Sequence, residues 1–109
     1  MKEKILLVFC TVNNESEAKH ISHTIITKKL AACCTFIPGA ISLYRWHSKV
    51  EESREILLLI KTSQKNYDQL EKEIKMLHSY EVPEIIAVNI EAASAAYVDW
   101  LLETMETAG

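Results

Sequence analysis

Cys33-Cys34-Thr35-Phe36-Ile37-Pro38-Gly39-Ala40-Ile41-Ser42-Leu43-Tyr44-Arg45-Trp46 is the stretch on which the fold turns. Its β-branched and aromatic residues read as one long strand. Pro38-Gly39 interrupts it, because a pair that lacks one amide donor and tolerates unusual backbone angles marks a bulge or bend in place of a regular ladder. His47-Ser48-Lys49 then reads as a turn. The chain returns from Val50 to Thr62, polar at Glu51, Glu52, Ser53 and Arg54 and wholly apolar from Ile56 to Ile60, the pattern of an exposed arm that leads into a buried segment.

Upstream of this hairpin, Ile5 to Cys10 is short, apolar and rich in β-formers, a buried strand closed by the polar pair Asn13-Asn14. Asn14 and Glu17 have the spacing of a capping box. Ala18, Ile21 and Ile25 form one stripe at helical period, with Ile26 and Leu30 beside it, so a helix is predicted over about 15 to 31. It ends in Lys28 and Lys29, where positive charge suits the helix dipole.

Downstream, Ser63 is expected to cap a second helix that carries Tyr67, Leu70, Ile74 and Leu77 on one face, and Val82-Pro83 forbids its continuation. A fourth strand follows at Ile85 to Ile90. Ser94 caps a third helix with Tyr97, Leu101 and Met105 at spacings of four. The order βαββαβ plus a C-terminal helix predicts an α+β, ferredoxin-like fold, an antiparallel sheet with two helices on one face.

A length of 109 residues fits one domain, 1–109, whose core is modest because a chain of this size buries only about two-thirds of its unfolded surface. Two glycines and two prolines leave little room for linkers. The net charge of −3, with basic residues scattered, argues against nucleic acid as a partner. Apolar runs fall far short of a membrane span, and the first lacks a signal-peptide cleavage site, so a cytoplasmic location with no membrane partner is expected. Cys10, Cys33 and Cys34 are odd in number and show no C-x-x-C spacing, so they read as reduced thiols.

Two crossover helices cover one face of such a sheet, and the other should turn polar. It does not. Odd positions Cys33, Ile37, Ile41 and Leu43 are apolar, and so are even positions Cys34, Phe36, Tyr44 and Trp46. The terminal helix can cover part of the second face, but strands 2 and 3 exceed the usual length of about 17–20 Å and should project as a hairpin. A projecting edge pairs with another chain. A homo-oligomer is therefore expected, with Tyr44 and Trp46 as aromatic anchors, the other reading being that both belong to the local core.

Phe9-Cys10-Thr11, Lys29-Leu30-Ala31-Ala32-Cys33, Ile37-Pro38-Gly39, Ser42-Leu43-Tyr44-Arg45-Trp46, Glu55 with Lys61-Thr62, His78-Ser79-Tyr80-Glu81-Val82-Pro83-Glu84 and Tyr97-Val98-Asp99-Trp100-Leu101 together resemble the CutA family of divalent-cation tolerance proteins along nearly the whole chain. The resemblance implies a PII-like homotrimer built through extended strands 2 and 3. It also implies a role in tolerance of copper and other divalent cations, exercised by binding a metal ion or small ligand, with no enzyme activity. In the subset associated with copper, the resemblance makes a strand 1 cysteine and a His-His pair the ligands. Here Cys10 and His78 match, and Leu77 stands where the first histidine would be. The turn also differs, with Ser48 where the family usually has glycine and Ser79 where it has proline.

Thiolate and imidazole suit copper or zinc, which makes Cys10 and His78 the candidate metal ligands; a third or fourth donor would have to come from Glu81 or another subunit. The alternative is a buried cysteine and a histidine that serves the helix C-terminus. His20 and His23 lie three apart on the polar side of the first helix and read as solvated. Glu81 and Glu84 could hold a hard cation or pair with Lys61. Glu51, Glu52 and Glu55 read as a solvated arm or as cross-subunit partners for Arg45 or Lys49. No catalytic arrangement or phosphate loop stands out. A small-molecule enzyme of acylphosphatase type would need an arginine after strand 1, and the only arginines are Arg45 and Arg54. An RNA-binding sheet would need exposed aromatics with basic flanks.

Overall fold

The computed structural model describes residues 3–106. The strands are β1 (Ile5–Val12), β2 (Cys33–Trp46), β3 (Lys49–Ser63) and β4 (Ile85–Asn89), and the helices α1 (Glu15–Thr27), α2 (Tyr67–Leu77) and α3 (Ala95–Thr104), with one 3-10 turn at Gln64–Asn66. The sheet order is β2-β3-β1-β4, every neighbouring pair antiparallel. This is the ferredoxin-like arrangement with an added helix. Gly109 lies outside the described residues.

The core follows from strand alternation. Leu6, Val8, Cys10 and Val12 of β1 and Ile56, Leu58 and Ile60 of β3 point to one face, where Ala18, Ile21 and Ile25 of α1 and Leu70 and Ile74 of α2 cover them. Each fully buried aliphatic side chain here contributes about 1.5–3 kcal/mol relative to exposure. A second, smaller cluster lies on the opposite side. There Leu101 and Met105 bring α3 against Ile5 and Ala32.

Helix α1 stops at Thr27, short of the predicted residue 31. Lys29 takes a left-handed φ of 60°, its amide bonds to the Ile26 carbonyl at 3.0 Å, and the Leu30 amide bonds to the Ile25 carbonyl at 2.9 Å. That pair of bonds is a Schellman closure, with Leu30 packed in the same cluster as Ile25. Glycine normally announces it; lysine does not. The two lysines reach elsewhere, Lys28 to Glu73 at 2.9 Å and Lys29 to the Glu106 carbonyl at 2.9 Å.

At the other end of α1, Asn14 Oδ1 accepts from the Glu17 amide at 2.8 Å, while Glu17 Oε1 accepts from the amide of Asn13 at 3.2 Å. The capping box is present but displaced by one residue. Ser63 differs more. Its hydroxyl is buried without a partner among the described residues, and the N-cap of α2 is Asn66, which makes no side-chain cap, the connection being held by the Gln64 amide on the Lys4 carbonyl at 2.9 Å. Ser94 does cap α3, accepting from the Tyr97 amide at 3.2 Å.

The bulge is where expected, between Ile37 paired with Leu57 and Ala40 paired with Glu55. Gly39 has a φ of +88°, a conformation that glycine adopts without a Cβ penalty. The register shift reverses the parity of β2. Cys33, Thr35 and Ile37 therefore share a face with Ser42, Tyr44 and Trp46, and Cys34 and Phe36 share the other with Ile41 and Leu43. Both faces remain apolar after this regrouping. The arm ends in a two-residue turn, His47 and Ser48, both at positive φ. It stretches the protein to 47 × 27 × 22 Å, with a radius of gyration of 14.7 Å against about 13 Å for a compact chain of 100 residues.

Candidate functional site

The loop from α2 to β4 meets the root of the arm, and its first residue fixes the rest. His78 caps α2 in an extended conformation, with its ring buried. Its Nε2 lies 2.7 Å from the Thr11 carbonyl, and its Nδ1 lies 3.0 Å from the Tyr80 amide. A carbonyl only accepts and an amide N–H only donates, so Nε2 carries the proton and Nδ1 is bare. The imidazole is neutral in this arrangement.

Glu17 of α1 secures the same loop. Its Oε2 accepts from the Ser79 amide at 2.7 Å and its Oε1 from the Ser79 hydroxyl at 3.1 Å. Burial works to raise the Glu17 pKa, but the hydrogen bonds from Ser79 and Asn13 outweigh it and hold the carboxyl below its usual value.

Tyr80 continues toward the arm. Its ring packs on His78 with centroids 4.7 Å apart, and its hydroxyl donates to Glu55 Oε2 at 2.6 Å. Ser42 donates to the other Glu55 oxygen. Burial, then the Glu55 carboxylate, raises the Tyr80 phenol pKa. Beside them the Tyr44 and Ser53 hydroxyls lie 2.7 Å apart. Tyr80, Glu55, Ser42 and Tyr44 border a cavity of about 490 Å³ whose wall also includes Trp46, Glu81 and Glu84.

Cys10 lies on β1 next to Thr11, the residue whose carbonyl holds His78, so the two candidate metal ligands come to the same end of β1. No hydrogen bond joins their side chains among the described residues. The Cys10 thiol is fully buried, and burial first, with the carboxylates Glu84, Glu17 and Glu55 and the Cys34 thiol adding to it, pushes its pKa up to about 12. A protonated thiol and an imidazole with both nitrogens engaged do not make a ready coordination site. Among the described residues, no group of three or more His, Cys, Asp or Glu side chains is arranged to hold a metal ion.

The other sequence candidates separate. His20 and His23 are exposed on α1, with His23 Nδ1 3.5 Å from the Thr27 hydroxyl. Lys61 donates to the Thr35 hydroxyl at 3.4 Å and pairs with neither Glu81 nor Glu84. Glu51 and Glu52 stay on the exposed arm, whereas Glu55, grouped with them in sequence, is 5% exposed and bonded within its own chain to the Ser42 and Tyr80 hydroxyls. Sequence reasoning missed this role. The available signal was its place immediately before Ile56 and opposite the Pro38-Gly39 bulge, where an arm residue turns inward.

Comparison with known proteins gives one consistent result. A family model described as CutA1 divalent ion tolerance protein matches residues 6–104. A divalent-cation tolerance protein CutA of Thermus thermophilus is 41% identical over 101 residues, covering 93% of this chain and 96% of that protein. The chloroplastic CutA 1 of Oryza sativa is 41% identical over 96 residues, 88% of this chain, which spans only 54% of that longer relative. The crystal structure of CutA1 from Oryza sativa superposes with a TM-score of 0.93 at 37% identity, covering 97% of each chain.

Proposed function

The chain belongs to the CutA1 family of divalent ion tolerance proteins, and from that premise we propose that it acts by binding, without catalysis, as a cytoplasmic homotrimer assembled through the β2–β3 arm. The observation that carries this reading is the apolar surface left open on one chain. Leu43 and Val50 on the arm are 67% and 69% exposed, Trp46 is 42% exposed, and Ile37, Ile86 and Val88 on the sheet are exposed as well. Apolar side chains left exposed on both faces of a long edge strand mark an association site. A closed ring of three copies would satisfy it without leaving an open edge.

The ligand site we propose is the cavity between the arm and the α2–β4 loop, with a small ligand or a cation as its occupant. A soft cation such as copper would reach Cys10 and His78 only by displacing hydrogen bonds of His78 and removing a strongly held thiol proton. Weak binding is the expectation there. The cytoplasmic location is supported by the reduced cysteines and by the finding that, among the described residues, no helix is long and apolar enough to cross a membrane.

Sedimentation velocity of the purified protein tests the assembly, beside a Trp46→Ala variant followed by circular dichroism. Three chain masses for the wild type and a weakened assembly with unchanged secondary structure for the variant are expected, because truncating a central interface aromatic costs about 2 kcal/mol or more. A stable monomer at micromolar concentration would overturn the reading.

A further inference from the structure

The cavity at the root of the arm is one-sided in charge. Glu55, Glu81 and Glu84 line it together with the rings of Tyr44, Trp46 and Tyr80, and among the described residues no lysine, arginine or histidine does. Glu55 is the decisive member. It is 5% exposed, yet among the described residues of the chain no cationic side chain lies within ion-pair distance of it. Ser42 and Tyr80 supply one hydroxyl to each of its oxygens, which leaves lone-pair capacity on both. A buried carboxylate without a counter-charge is costly, and the cost is relieved by a cation that enters the cavity.

Three features decide what kind of cation. Three carboxylates repel phosphates and carboxylic acids. A bare calcium or magnesium ion needs six or more oxygens at about 2.0–2.6 Å, and the described residues contain no group arranged to hold a metal ion. Aromatic faces favour diffuse, weakly hydrated positive charge, as in alkylated ammonium groups, and a volume of about 490 Å³ lies in the range of small-molecule sites. We propose that this cavity binds a small organic ammonium compound, with the cationic nitrogen held by Glu55 and its apolar substituents laid against Tyr44 and Tyr80. The proposal rests on the reading of this cleft as the ligand site.

The test uses the full chain, with choline and 1,4-diaminobutane as probes and 3,3-dimethyl-1-butanol as the uncharged counterpart of choline. Amide resonances of Tyr80, Glu55 and Glu84 should shift saturably with the ammonium probes and not with the alcohol. Glu55→Gln should weaken binding about tenfold or more, equivalent to about 1.4 kcal/mol. Because Glu55 is buried, a Glu81→Gln/Glu84→Gln double variant of exposed residues serves as a second arm and should weaken binding by severalfold with its melting temperature unchanged. Equal shifts from the neutral alcohol, no saturable shift from either ammonium probe, or unchanged affinity in both variants would overturn the assignment. A magnesium or copper titration that moves these amides while the ammonium probes do not would also overturn it. That outcome leaves the cleft as the ligand site, whereas a monomer that binds choline would remove the trimer and keep this site.

Discussion

Tyr80 donates its hydroxyl hydrogen bond to Glu55 across 2.6 Å, and this bond joins the α2–β4 loop to the root of the β2–β3 arm. The connection extends in both directions. On one side Ser42 carries it into β2; on the other the Tyr80 amide rests on His78, and Ser79 rests on Glu17 of α1. A single run of polar contacts thus joins helix, loop and arm.

Removing the phenol hydroxyl isolates that link. Tyr80→Phe leaves Glu55 with Ser42 as its one side-chain donor among the described residues, and hydrogen bonds to charged groups contribute about 1.5–3 kcal/mol. Chemical denaturation should show a loss of that order, with the slope unchanged. A variant as stable as wild type would mean that solvent replaces the hydroxyl and that the link holds nothing in place.

Glu17 gives the loop a dependence on acid. Its carboxyl is held below the usual value of 4.5, so the folded state favours the ionised form. The stabilisation is complete above that value and disappears as pH falls through the lower, folded-state pKa. Glu17→Gln should therefore lower the denaturation midpoint at pH 7, and the gap to wild type should narrow as pH falls below 4.5. A gap that acid leaves unchanged would assign the effect to packing.

The tip of the arm offers a gain. His47 and Ser48 both have positive φ, 51° and 69°, in a two-residue turn that prefers glycine at its second position. A left-handed conformation costs a residue with a Cβ roughly 1–2 kcal/mol, offset in part by the greater freedom of glycine in the unfolded chain. Ser48→Gly should stabilise the protein by about 0.5–1 kcal/mol, read as a raised denaturation midpoint. Ser48→Ala should leave it unchanged, and equal gains from both would point away from the backbone angle.

Regular elements were legible because their apolar residues repeat at periods that only a helix or a strand can bury on one face. What stayed hidden has a common cause: it depends on backbone geometry that no residue type announces. Lys29 closes α1 in a conformation expected of glycine, and the Pro38-Gly39 bulge, although visible, regroups the faces of β2 so that Ile37 shares a side with Tyr44 and Trp46. The candidate site divides in the same way. Cys10 and His78 stand out by chemistry, whereas Glu55 looks like one more arm carboxylate until the register turns it inward beneath Tyr80.

The state of Cys10 can be read directly from its reactivity. Thiolate, the reactive form, is scarce at neutral pH in a group whose pKa is pushed up to about 12, and full burial bars reagent as well. Iodoacetamide at pH 8 should leave Cys10 unmodified in the native protein and label it fully in urea, as peptide mass analysis would show. The raised pKa also sets a stability trend with a definite sign. The unfolded thiol ionises near its ordinary value of 9.0 while the folded one keeps its proton, so the contribution of Cys10 is present below pH 9 and is lost as pH rises toward 12. Cys10→Ala should therefore lose less stability than wild type between pH 8 and pH 10, the variant's own cavity cost being the same at both. If Cys10 alkylates readily in the native state, the thiol opens to solvent, and the obstacle to a soft cation at Cys10 and His78 falls with it.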